Sequence, residues 1–85
     1  MEWTKHFEDM LVERGILSEW VQFAIQQPDR QEEHADGMRH YLKNISEREN
    51  RWLRVIINVS VQPHRAVTVF FDRRLRRISH ENQNG

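Results

Sequence analysis

Apolar positions along the chain change their period about a third of the way through. In "TKHFEDMLVERGIL", Phe7, Met10 and Leu11 recur at helical spacing, and Glu8, Asp9 and Glu13 fill the opposite side. This predicts a first helix capped by the Thr4 hydroxyl and ended near Arg14, with Gly15 in a left-handed position just past the end. Trp3 and Phe7 are candidates for a staple across its entry. Ser18 is the expected N-cap of a second helix whose stripe is Trp20 (or Val21), Ala24 and Ile25. Glu19 complements the dipole in its first turn, and the helix stops at Gln27 because Pro28 follows.

From Arg30 onward the period is two. Asp36-Gly37 separates two polar, strand-like arms and is a strong hairpin signal; the arm Arg30 to His34 is almost wholly polar, as an edge strand should be. "SEREN" is a polar loop. In "WLRVIINVSV", Leu53, Val55, Ile57 and Val59 alternate with Trp52, Arg54, Ile56 and Asn58. In "AVTVFFD", Val67, Val69 and Phe71 alternate with Ala66, Thr68, Phe70 and Asp72. These are expected to be the central strands. The order predicts an α+β domain with two N-terminal helices packed on one face of a four-stranded antiparallel sheet (ααββββ). The helices cover the Leu53/Val55/Ile57/Val59 and Val67/Val69/Phe71 faces. The opposite face is expected to be open, with Arg54, Asn58 and Thr68 among Trp52, Ile56 and Phe70. Residues 1–77 are expected to form this single domain and 78–85 a flexible polar tail.

Length is consistent with one domain, since 85 residues leave no second core. With no cysteine, disulfides, thiolate metal sites and cysteine nucleophiles are excluded. No apolar run approaches a membrane span, and the N-terminus lacks the pattern of a signal peptide, so a cytoplasmic protein with no membrane partner is expected. Net charge is zero but unevenly spread. Met1 to Glu49 holds eleven acidic and six basic residues, whereas Asn50 to Gly85 holds two acidic and seven basic, all of them arginine. Guanidinium groups suit phosphate or carboxylate recognition.

Arg54 in the middle of a strand requires a partner or water, and Thr68 on the adjacent strand is its expected neighbour. "FFDRRLRR" places Arg73 and Arg74 beside aromatics, a combination that contacts nucleic-acid backbones or docks an acidic partner. Of the five histidines, His6 borders the apolar stripe of the first helix, where an imidazole can move a proton or contact phosphate. None shares the helical i, i+4 spacing of a metal site with another, so no structural zinc and no cofactor are expected.

Taken in order, "TKHFEDMLVERGIL", "PD", a hairpin ending "RHYL", "LRVII" and "VTVFFDRR" resemble the bacterial domain of unknown function 4258. The residues matching its pattern are His6, Arg14, Gly15, Ile16, Pro28, Tyr41, Arg54, Val55 and Thr68, over roughly Thr4 to Arg73. That family looks like the RelE- and BrnT-type toxins, small ribonucleases with two helices and an antiparallel sheet. The resemblance implies a RelE-like fold and a metal-independent endoribonuclease neutralised by an antitoxin, or a relative without activity. On this reading His6, Tyr41, Arg54 and Thr68 are the catalytic candidates, and Arg14, His40, Arg73 and Arg74 the substrate-binding ones. Arg54 would stabilise the phosphate, His6 or His40 handle protons, and Tyr41 stack a base or donate its hydroxyl. Arg54→Ala would then abolish cleavage with little loss of stability. The alternative is a non-catalytic module that binds a protein partner or a second copy through Trp52, Ile56 and Phe70; a third reading is an RNA binder without chemistry.

Overall fold

The structure is a computed structural model that describes residues 1–75; the expected tail lies outside these residues. Helix α1 spans Lys5–Arg14. The Thr4 Oγ1 accepts a hydrogen bond from the Phe7 amide at 3.1 Å, and Gly15 (φ 64°) turns its own amide back to the carbonyls of Leu11 and Val12. A β-carbon is disfavoured at that φ, which is why glycine stops the helix here. Helix α2 spans Ser18–Gln26, but its N-cap is Leu17, without a side-chain cap. Ser18, the expected cap, already lies inside the first turn, one residue beyond the observed one.

Four strands follow: β1 Arg30–Glu33, β2 Met38–Ile45, β3 Arg51–Asn58 and β4 Arg65–Phe71, with a short 3-10 turn at Ser46–Arg48. They form one antiparallel sheet in the order β1-β2-β3-β4. The Asp36 carboxylate accepts from the Met38 amide at 3.1 Å, and Gly37 takes φ 84°, closing the β1–β2 hairpin. Both helices lie on one face. Phe7, Met10, Leu11, Val21 and Ala24 pack there with Tyr41, Ile45, Leu53, Val55, Ile57, Ala66 and Val69. No helix among the described residues is long and apolar enough to cross a membrane.

The strand pattern needs one correction. Val55 pairs with Val69 and Ile56 with Thr68, but Ile57 pairs with Ala66, so Val67 is an extra residue in β4. A bulge of this kind shifts the alternation by one. Ala66 is therefore buried in the core and Val67, expected on the core face, is 38% exposed. Edge strand β4 is covered in part: Glu2 forms a parallel bridge to Arg65, and Arg14 Nη1 donates to the Val69 carbonyl at 2.7 Å.

The face away from the helices is less open than expected. Leu42, the cross-strand partner of Arg54, is fully buried, Arg54 is 7% exposed and Asp72 is 4% exposed. Ile56, Phe70 and Trp52 are half-buried.

Candidate functional site

The hairpin register creates the densest group of polar side chains. Glu32 of β1 lies opposite His40 of β2, and His34 is two residues beyond Glu32, so all three project from the same side. Arg54 reaches this group from β3. Its Nη1 donates to Glu32 Oε1 at 3.0 Å and to His40 Nδ1 at 2.7 Å, while its Nε donates to Asp72 Oδ2 at 2.8 Å. A guanidinium has no acceptor, so His40 Nδ1 must supply the lone pair and, in the neutral ring, Nε2 carries the proton. The rings of His34 and His40 stack with centroids 3.7 Å apart, and His34 Nε2 lies 3.2 Å from Glu32 Oε1.

Asp72 follows β4 and anchors the chain's turn. Its Oδ1 accepts from the backbone amide and Nε of Arg74 at 3.1 and 3.0 Å, and its Oδ2 from Arg74 Nη2 at 3.0 Å. Hydrogen bonds from Arg74, and then from Arg54, outweigh burial and hold the Asp72 carboxyl down at about 2. The Arg54 hydrogen bond likewise lowers Glu32. Burial, followed by the charges of His34 and Arg54, lowers His40, which favours its neutral form.

Three of the expected residues come together here: Arg54, His40 and, through Asp72, Arg74. Arg73 is exposed in the same turn. Two others meet elsewhere. Arg14 Nη1 lies 3.5 Å from Thr68 Oγ1, and that hydroxyl donates to Met10 Sδ at 3.3 Å, so both belong to the junction of α1 with β4. Thr68 is not opposite Arg54, whose register partner is Phe70. Tyr41 faces the helices and is buried; its hydroxyl accepts from Arg39 Nη1 at 3.3 Å. His6 is exposed on α1, and among the described residues no hydrogen bond ties it to the Arg54 group.

Glu32, His34 and Asp72 are the members that sequence reasoning missed. A signal for the first two was present. Glu32-x-His34 precedes Asp36-Gly37, and folding the hairpin there carries His40 back over Glu32. Asp72 had none, because its burial depends on Arg54 and Arg74 reaching it from different elements.

The model of the family DUF4258, a domain of unknown function, matches residues 3–71, and the chain belongs to this family. No curated protein and no solved structure matches the chain.

Proposed function

We propose that the chain is a RelE/BrnT-like toxin component, an endoribonuclease that cleaves RNA on the sheet face bearing Glu32, His34 and His40 and is held in check by an antitoxin. The observation that supports this most is the Glu32–His34 pair, 3.2 Å apart, stacked on His40. A carboxylate that accepts from Nε2 leaves His34 Nδ1 as the basic nitrogen, the arrangement by which a carboxylate orients an imidazole base. His34 Nδ1 takes the proton of a ribose 2′-hydroxyl. The 2′-oxygen bonds to phosphorus, the bond to the 5′-oxygen breaks, and that oxygen collects a proton from water. His40 Nε2–H and the exposed guanidiniums of Arg73 and Arg74 stabilise charge on the phosphate. Arg54, buried and bonded to Asp72, Glu32 and His40, acts as a positioning residue rather than as the phosphate contact.

The test is incubation of purified protein with a single-stranded RNA in EDTA. Wild-type protein should cleave, and His34→Ala should lower the rate by about 100-fold or more, the range a general base contributes, at an unchanged melting temperature. Intact RNA with the wild type, or full activity in the variant, sinks the reading.

A second reading is favoured by a different surface. Leu17, just before α2, and Phe23, on it, are 49% and 44% exposed, and with Trp20, Glu19 and Glu47 they line a shallow groove. This supports a docking module that uses α2 rather than the half-buried Ile56 and Phe70. Light scattering would show a concentration-dependent mass, abolished by Phe23→Glu; a constant monomer mass argues against self-association.

A further inference from the structure

The group around Arg54 Nη1 has a second chemical property, a metal-bound state that is an alternative to the metal-free use of the same three side chains in the nuclease reading. One donor atom each from Glu32, His34 and His40 lies within 4.8 Å of the others. The arrangement follows from the hairpin: Glu32 on β1, His34 one residue past the end of β1 with its amide bonded to the Met38 carbonyl at 2.9 Å, and His40 directly across from Glu32 on β2. Such a hairpin is a rigid support, because the register that pairs the strands also fixes the three Cβ positions. The cradle already holds a cation. Arg54 Nη1 sits 3.0 Å from Glu32 Oε1 and 2.7 Å from His40 Nδ1, between two of the three donors a metal ion would use.

We propose that Glu32, His34 and His40 form a site for a borderline divalent transition metal, Zn²⁺ above all. Two imidazoles and one carboxylate are donors that Zn²⁺, Co²⁺ and Ni²⁺ prefer, whereas Mg²⁺ and Ca²⁺ demand all-oxygen shells. Zinc ligands stand about 2.0–2.2 Å from the metal, so the donors must draw together and the His34 ring must turn out of its stack on His40 for both imidazole lone pairs to meet the ion. The exposed side chain of His34 has room to make that movement. Three protein ligands leave a fourth position for water, as in open rather than purely structural zinc sites. The metal and Arg54 Nη1 are alternatives: entry of the ion displaces Nη1 from Glu32 and His40, while Arg54 Nε keeps its contact to Asp72. Asp72, bound to Arg54 and Arg74, takes up the guanidinium charge in both states.

The experiment is calorimetric titration of the metal-free protein with Zn²⁺, alongside Co²⁺ absorption spectra. One equivalent should bind, Co²⁺ should give the visible bands of a four- or five-coordinate site, and excess Mg²⁺ should not compete. His34→Ala, which removes an exposed side chain and leaves the core intact, should weaken binding at least about tenfold, and Glu32→Gln should do likewise. His6→Ala should bind as the wild type does. Failure to bind one equivalent, or affinity lost in His6→Ala and kept in His34→Ala, overturns the site. RNA cleavage is not read, so a negative result here leaves the nuclease reading standing, and the converse also holds.

Discussion

Arg54 and Asp72 are bound Nε to Oδ2 at 2.8 Å, and both side chains are more than nine-tenths buried. The pair bridges the middle of β3 to the residue just after β4. Removing one member strips a buried charge of one partner, leaving Asp72 only Arg74 and Arg54 only Glu32 and His40, which costs about 1–3 kcal/mol. Arg54→Ala also releases Glu32 and His40 from their common donor. It should therefore lower the urea midpoint sharply or prevent folding, contrary to the small stability change expected if Arg54 were an exposed phosphate contact. Urea unfolding followed by tryptophan fluorescence decides the matter: a midpoint equal to that of the wild type would mean the pair contributes nothing.

The same pair sets a pH dependence. Asp72 is lowered from its ordinary 3.8 to about 2 in the fold. A depressed carboxylate contributes stability above its unfolded value and loses it as pH falls through the folded one. The contribution should be complete above about pH 5 and amount to about 2 kcal/mol, fading between pH 4 and 2. Asp72→Asn removes the titration. The stability gap between wild type and Asp72→Asn should be constant from pH 7 to 5 and narrow below 4; a gap as wide at pH 3 as at pH 6 would refute the assignment.

Periodicity carried most of the architecture. Phe7, Met10 and Leu11 marked α1, Thr4 and Gly15 marked its ends, and Asp36-Gly37 marked the hairpin, because each rests on local backbone physics. Where the sequence misled, the deciding contact was distant. Val67 became an extra residue because of pairing with β3, and Thr68 turned to Met10 and Arg14 of α1 rather than to Arg54. The site divides in the same way. Glu32, His34 and His40 follow from one hairpin and were readable once its register was drawn. Asp72 and the closing role of Arg54 join residues 18 positions apart, and no local pattern announces them.

The bulge makes a prediction that simple alternation would reverse. Ala66 is 3% exposed and Val67 is 38% exposed. Ala66→Leu should overpack the core and cost about 1–3 kcal/mol, while Val67→Lys should stay within about 0.5 kcal/mol of the wild type. Thermal unfolding of the two variants side by side is sufficient. Equal losses, or a larger one at Val67, would place the extra residue elsewhere in β4.

Gly15 ends α1 at φ 64°, and the nearest atom to a β-carbon built there is Arg48 Nη1 at 3.9 Å, an ordinary contact. Space is therefore not what excludes a side chain; backbone conformation is. Gly15→Ala should cost about 1–2 kcal/mol, the penalty of left-handed backbone for an L-residue. Gly15→Asn should cost less, since asparagine tolerates that region. A steric origin predicts the opposite order, because asparagine is the larger side chain. Melting temperatures of the two variants separate the explanations: if Gly15→Asn is the less stable, crowding by Arg48 governs the turn and the conformational account fails.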